Sequence, residues 1–353
     1  EHWQFLSEYS VRDTNGLGVL FADYTQDTRV KSFTPRLQGS IGNVDLNIGF
    51  DHHATDYKRG GFSPQTREQS VNALYARARL PLWQDNLHLT LGGRDSRVKD
   101  RDLRNNQENS KSRFVKEIGL SYQLDAEQRV FLRRDESFRH ANMDELAQLP
   151  AGKNFLEPQE GRSIELGWER QTADTTLQAT LFNLDLDNEI KYNAANFSND
   201  NLEASERQGL IVSGSHQLTP AVLISANYSY TDSEIKAGQH AGNEVPYVPA
   251  HSASVALDYQ LSQTTQLYLD ARYNGRQYRD DDEANQLDRL GGYTVFNAHA
   301  RWQLNQWDAS LRINNLFNKE YDAYTIAAPW LPGGTAYYPA AGRQLMLTLG
   351  YNF

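Results

Sequence analysis

The last twelve residues constrain this chain more than any other stretch. In Gly342–Phe353, Leu345, Leu347, Leu349, Tyr351 and Phe353 fall on one face of a strand, and Gln344, Thr348, Gly350 and Asn352 on the other. Successive strand side chains point to opposite faces. One face is therefore apolar and ends in two aromatics. That is the pattern of a strand with lipid outside, water inside and aromatic residues at the membrane interface. A half-buried strand of a soluble β-sandwich alternates in the same way, so recurrence has to decide between them.

The pattern recurs along the whole chain. Trp3, Phe5, Tyr9 and Val11 make a first alternating face, and Ile164, Leu166 and Trp168 alternate with Ser163, Glu165 and Glu169. Val255, Leu257 and Tyr259 alternate with Ala256 and Asp258, Leu267, Leu269 and Ala271 with Asp270 and Arg272, and Trp307, Ala309, Leu311 and Ile313 with Asp308, Ser310 and Arg312. Thr176–Lys191 has an ambiguous phase that a bulge would explain. Seven short turns are expected at Ile41–Asn43, Trp83–Asn86, Asp125–Gln128, Thr172–Thr175, Leu218–Pro220, Ser262–Thr264 and Asn305–Gln306. Eight long polar connections are expected near Asp13–Asp23, Asp56–Arg67, Asp100–Ser112, Phe138–Glu160, Asn193–Glu203, Asp232–Pro249, Gln277–Leu290 and Asn318–Ala341. About sixteen strands of roughly 9–11 residues, with short turns at one end and long loops at the other, are the signature of an all-β antiparallel transmembrane barrel. A soluble sandwich does not make every second connection that long, and charges on one strand face suit a wet lumen better than a packed core.

Composition agrees. Of 353 residues 23% are charged, the formal net charge is −10 and the mean hydropathy is −0.70. No apolar run approaches the roughly 20 residues of a membrane helix, but a barrel needs only an alternating face. Nineteen Tyr and fourteen Phe suit strands and interfacial girdles. The absence of Cys excludes a disulfide framework, a thiolate metal site and a thiol nucleophile. The acidic balance argues against a nucleic-acid partner. No signal peptide is seen, and the first residues read as mid-strand.

Asn315-Leu316-Phe317-Asn318-Lys319-Glu320-Tyr321-Asp322, then Tyr337-Tyr338-Pro339 and Gly342-Arg343, closing at Phe353, resembles the end of TonB-dependent outer-membrane receptors. Ser137-Phe138-Arg139, Asp144-Glu145-Leu146 and Leu156-Glu157-Pro158-Gln159-Glu160-Gly161-Arg162 resemble the long mid-barrel loop of that family, and Thr34-Pro35-Arg36-Leu37 is a further match. The resemblance implies the outer membrane of a Gram-negative bacterium and a 22-stranded barrel around an N-terminal plug. It also implies uptake of a scarce ligand such as a siderophore–iron complex, haem or cobalamin, powered by TonB. Measured against it, the plug, the TonB-contacting segment and about six strands are absent. The expectation is therefore the C-terminal barrel part of a receptor, residues 1–353, that meets TonB only through the missing N-terminal part. The alternative is a passive sixteen-stranded pore. Lipid and the barrel-assembly machinery are the other partners implied, with Tyr351 and Phe353 as the assembly signal.

No catalytic motif is present, so no enzyme and no cofactor are expected. Arg139, Phe155, Tyr192, Tyr247, Tyr278, Arg279, Tyr324, Trp330, Tyr337 and Tyr338 fall in outer loops, with Tyr57, Arg59, Phe62 and Phe197. They suit an aromatic ligand mouth and equally an outer-leaflet girdle. Asp280, Asp281, Asp282 and Glu283, with Asp288, suit either calcium or a solvated loop. His52 and His53 are adjacent on a strand, so they point to opposite faces and do not share one ion. His140 sits where haem receptors of the family carry a different motif. Asp258, Asp270, Arg272, His299, Arg301 and Arg312 are lumen candidates, expected to pair across strands.

Overall fold

The computed structural model describes residues 3–19, 23–61, 64–83, 86–150, 152–194, 196–328 and 331–352. Contacts group the chain into two units. One comprises Glu1–Tyr122, Phe131–Ile164 and Asp185–Ala204. The other comprises Gln123–Val130, Glu165–Leu184 and Ser205–Phe353.

The first unit is built on β1 (Gln4–Leu6), β2 (Tyr9–Val19), β3 (Asp23–Phe33), β4 (Arg36–Ile41), β5 (Val44–Gly61), β6 (Gln65–Leu82), β7 (Leu87–Asp102) and β8 (Gln107–Gln123). Every pairing among them is antiparallel. β1 and β2 are one pass of the chain interrupted at Ser7–Glu8, and β3 and β4 are one pass interrupted at Thr34–Pro35. Pro35 has no N–H for the ladder. The break is bridged by Thr34 N donating to Glu8 O at 3.0 Å and Phe50 N donating to Pro35 O at 3.0 Å. β9 (Gln128–Arg139) and β10 (Gln159–Gln171) follow, with the four-residue helix α1 (Met143–Leu146) between them.

The second unit contains most of β11 (Thr175–Asp187). After the accessory hairpin β12 (Glu189–Asn193) and β13 (Ser198–Leu202) come β14 (Ser205–Thr219), β15 (Val222–Ile235), β16 (His251–Ser262), β17 (Thr265–Asn274), β18 (Tyr293–Leu304) and β19 (Trp307–Asn314). β20 (Asp322–Ala327) and β21 (Thr335–Pro339) form a second accessory hairpin, and β22 (Gln344–Tyr351) pairs with β19. Among the described residues, eighteen strands are wall strands and four make the two hairpins. With the two interrupted passes counted once each, the chain makes sixteen passes.

The registers carry the alternation from strand to strand. Leu257 faces Leu269, Leu269 faces Ala298, Ala298 faces Ile313 and Ile313 faces Leu345. One residue away, Asp258 faces Tyr268, Tyr268 faces His299 and His299 faces Arg312. A single-residue slip would invert both faces. Leu269, Leu347 and Leu349 are 47%, 60% and 64% exposed, so this apolar face has no protein against it.

Six of the seven short turns fall where the sequence places them, and the one expected at Trp83–Asn86 lies partly outside the described residues; two are two-residue hairpins with Gly42 at φ 58° and Asn305 at φ 54°. Three expected long loops are corrected. The stretches at 13–23, 56–67 and 100–112 are mostly strand, with β5 and β6 reaching 18 residues each instead of roughly 9–11. Polarity on both faces reads as loop, yet a ladder beyond the membrane needs no apolar face. Here it is held by cross-strand polar pairs such as Arg29–Asp13 at 2.7 Å and Lys99–Glu108 at 2.8 Å. The ambiguous phase of 176–191 is a break: β11 ends at Asp187, and Asn188 at φ 57° turns the chain into β12.

Candidate functional site

In the first unit the segment after β9 folds onto the polar face of β5–β7. The helix α1 starts with a capping box in which Asn142 and Glu145 satisfy each other's backbone N–H. Arg139 donates to both Glu145 oxygens at 2.8 Å, so this predicted ligand contact is occupied in fixing the loop. Met143 and Leu146 are buried against Tyr57, Ala141, Ala147, Leu156 and Ile190. The Tyr57 hydroxyl donates to Asp144 at 3.0 Å, and burial first, then the nearby Asp144 carboxylate, pushes its pKa upward. Gln65 and Gln69 donate to Ala147 O at 2.6 Å and Ala141 O at 2.8 Å, tying the segment to β6.

Below this layer lies a row of buried charge. Arg67 donates to Gln65 at 2.9 Å and to Asp102 at 3.3 Å, and both members of that ion pair have side chains 5% exposed. Asp100 accepts from Gln69 at 2.9 Å. Burial pushes the Asp100 carboxyl up to about 6, with the Gln69 amide and Arg67 pulling the other way. The Arg59 guanidinium lies 4.7 Å from the centre of the Tyr24 ring, its Nε without a hydrogen-bond partner among the described residues. A cleft of about 610 Å3 opens here, lined by Arg59, Arg67, Arg104, Lys153, Tyr192 and Phe197 together with Asp102. Four cations thus stand beside two aromatic rings, with Arg67 paired to Asp102 and Lys153 to Asp200. Of the predicted residues Arg59, Tyr192 and Phe197 line the cleft, whereas Phe155 is half-buried outside its lining. Arg67, Arg104 and Lys153 escaped the sequence reading. The i, i+2 spacing of Arg67 with Gln69 and of Asp100 with Asp102 was the available signal.

In the second unit the long connections are stitched together around Tyr324. Its ring meets Tyr247 edge-on at 5.3 Å and Tyr338 at 5.5 Å. Its hydroxyl donates to the Asp280 carboxylate, and burial followed by that carboxylate raises its pKa. The Asp280 backbone pairs with the β20 edge: Asp280 N donates to Thr325 O at 3.1 Å and Ala327 N to Asp280 O at 2.7 Å. Tyr247 N donates to Tyr278 O at 3.1 Å, and Tyr247 OH to Ala323 O at 2.8 Å. Arg279 donates to Asp288 O, and Arg289 stacks on Tyr278 at 4.7 Å while pairing with Glu244. Tyr337 and Tyr338 are 55% and 54% exposed. Trp330, Phe62 and Phe353 lie outside the described residues.

The acidic run is not gathered around one point. The Asp282 carboxylate accepts from Gln286 N and Leu287 N at 3.0 Å, and Asp280 is turned to Tyr324. Among the described residues no three His, Asp or Glu groups converge as a metal site. His52 and His53 meet Asn72 and Ser32 at 2.8 Å each, on opposite faces of β5. The polar wall face forms a recess of about 830 Å3 that includes Asp270, Arg272, Asn297, His299 and Arg312. Cross-strand pairing holds for Arg301 with Asp308 at 2.6 Å and Asn297 with Asp270 at 2.8 Å, while Arg272 pairs with Asp270 along its own strand. Tyr351 packs edge-on against Trp307 at 4.9 Å and donates to Gln306, as a girdle residue at the short-turn end would.

Residues 2–316 match the protein-family model described as TonB dependent receptor-like, beta-barrel. The chain is 27% identical over 212 residues to the catecholate siderophore receptor Fiu of Escherichia coli K12, a match covering 58% of this chain and 27% of that protein. It is 25% identical over 303 residues to the ferrioxamine receptor of Yersinia enterocolitica, covering 82% of this chain and 40% of that protein. The crystal structure of the ferric yersiniabactin uptake receptor FyuA from Yersinia pestis superposes with a TM-score of 0.80 at 18% identity, over 99% of this chain and 58% of that one. The matches thus span from about a quarter to less than two thirds of the length of these relatives.

Proposed function

Because the chain belongs to the TonB-dependent receptor β-barrel family, whose members sit in the outer membrane of Gram-negative bacteria, we propose that it supplies the wall and outer loops of a receptor taking up an anionic ferric siderophore. The observation that carries this reading is the cleft where Arg59, Arg67, Arg104 and Lys153 outnumber the paired carboxylates Asp102 and Asp200 beside Tyr192 and Phe197. A ferric catecholate is negatively charged and presents flat aromatic rings. Fixed cations attract the first property and aromatic side chains stack on the second. Relatives that are receptors for catecholate siderophores, ferrioxamine and ferric pyoverdine support an iron chelate over haem or cobalamin. They also support the receptor over the passive pore. The whole chain is taken as one barrel domain. Lipid around the apolar face, the assembly machinery reading the terminal aromatics, and TonB acting through a further part of the receptor are the partners this reading requires.

The test is binding of radiolabelled iron chelates to the full receptor in detergent. Arg104→Glu with Lys153→Glu should weaken a ferric tris-catecholate by about tenfold or more and lose most of its salt dependence. A ferric trihydroxamate without net negative charge should change far less. Equal loss for both chelates, or none for the catecholate, would reject the cleft as the charge-selective site.

A further inference from the structure

The second unit holds a pocket separate from the cationic cleft. It opens where β17 ends at Asn274 and β18 begins at Tyr293, a facing pair on the wet side of the wall. Its volume is about 410 Å3, a size that suits a small-molecule site. Local chemistry fixes its walls. Asn315 adopts φ 53°, a conformation that asparagine tolerates better than most residues. Its side chain accepts from Lys319 N at 2.7 Å and donates to Lys319 O at 2.8 Å. Ala340 N then donates to Tyr321 O at 2.9 Å. Held in this way, Tyr321 lies on Tyr293, with ring centres 4.4 Å apart and planes 27° from parallel. Gln277 is placed by paired backbone bonds with Leu290, at 3.4 and 2.8 Å. A Cβ at Gly292 would stand 2.9 Å from Asn274 O, so the chain passes there only as glycine. One at Gly291 would meet nothing within 4 Å, so the rim is open.

The amides of this pocket are unspent. Gln277 is only 8% exposed, yet its side chain makes no hydrogen bond among the described residues and stands open to the pocket. A buried amide ordinarily finds a partner. Asn274, half-buried in the same lining, makes no side-chain hydrogen bond among the described residues either. Each amide offers a donor and an acceptor side by side, which matches two neighbouring hydroxyls that both donate and accept. The Tyr293–Tyr321 pair adds a flat apolar surface. Lys319 is set against Glu320 and Asp322 in the lining, so no excess of positive charge attracts an anion. The two nearly parallel rings form one platform, whereas a quaternary ammonium is recognised by rings that surround it.

We propose that this pocket binds a neutral saccharide, with one pyranose ring packed on the Tyr293–Tyr321 surface and the amides of Gln277 and Asn274 bridging its neighbouring hydroxyls. A pyranose combines the two properties the lining asks for, a face of C–H groups and a rim of vicinal hydroxyls. The pocket is built wholly within the second unit, so the proposal does not depend on the anionic chelate read for the cleft in the first.

The test is saturation-transfer NMR on the full receptor in detergent, titrated with glucose, galactose, mannose and lactose, and with choline as a cationic probe. At least one saccharide should bind saturably, and choline should not. Gln277→Met and Asn274→Leu keep the size of the side chain and remove the amide. Each should weaken that saccharide by about fivefold or more while the heat-dependent gel mobility stays that of the parent. Monodeoxy derivatives of the tightest saccharide separate direct contact from a structural effect. One of them should bind the parent more weakly by a similar factor, and bind Gln277→Met no worse than the intact sugar does. No saturable saccharide binding to the parent, preferential binding of choline, parental affinity in both variants, or a deoxy penalty undiminished in both variants would each overturn the proposal.

Discussion

Leu269→Arg tests the lipid-facing assignment energetically. Leu269 is the fifth of ten residues in β17, so it sits near mid-strand. It is 47% exposed, and its cross-strand neighbours are Leu257 and Ala298. No acid shares its face on the two neighbouring strands to pair with a new guanidinium, because Asp258 and Asp270 point to the other side. The substitution therefore leaves an uncompensated charge near the bilayer midplane, at a cost of about 2–4 kcal/mol. At 1.4 kcal/mol per factor of ten, the folded-to-unfolded ratio should fall by about 30- to 700-fold. The matched control is Arg272→Leu on the wet face, whose side chain is 72% exposed and bonded, among the described residues, only to Asp270; it should cost less than about 1 kcal/mol. Reversible denaturant unfolding of the full receptor in lipid vesicles measures both. Equal effects for the two variants, or less than about 0.5 kcal/mol for Leu269→Arg, would refute the assignment.

The raised pKa of Asp100 gives a pH dependence with a fixed sign. The folded cluster binds a proton between about pH 4 and 6 that the unfolded chain does not, so this contribution grows as pH falls through about 6 and is complete below the ordinary value of 3.8. As pH rises through about 6 it is lost. Hydrogen exchange at residues 96–102 and 141–147 should show the parent gaining protection from pH 7 to 5 relative to Asp100→Asn; parallel pH profiles would contradict this. Tyr324→Phe removes a donor to the Asp280 carboxylate, a bond worth about 1.5–3 kcal/mol for a charged acceptor. It should speed limited proteolysis between residues 279 and 289, whereas an unchanged cleavage rate would mean that the backbone pairing of Asp280 alone holds the loops.

The wall was legible in the sequence because lipid imposes a strict two-residue period. Leu257 and Asp258 declare opposite faces with no knowledge of their neighbours, and Gly42 and Asn305 mark turns that only positive φ permits. The extended ends of β5, β6 and β7 were hidden because nothing apolar is demanded of a ladder standing in water. Arg67, Asp100 and Asp102 read there as loop charge, and only the register between β6 and β7 brings them together. The cleft was less visible still. Arg59, Arg104, Lys153 and Tyr192 come from four separate stretches, and their meeting depends on α1 and the β12–β13 hairpin folding over β5 and β6. Arg139 was legible as a loop cation but not as a clamp on Glu145, since that role follows from the capping box. The run Asp280–Glu283 advertised a cation site, yet backbone N–H groups and Tyr324 take up the carboxylates of Asp282 and Asp280.

The most direct measurement is site-directed spin labelling of the full receptor in lipid vesicles, with oxygen as the lipid-soluble quencher and a nickel chelate as the water-soluble one. Labels at Leu257, Leu269, Leu311 and Leu347 should respond to oxygen and resist nickel, and labels at Asp258, Asp270 and Arg312 should do the reverse. Nickel access at the leucine positions, or no difference between the two sets, would contradict a wall with lipid on one face and water on the other.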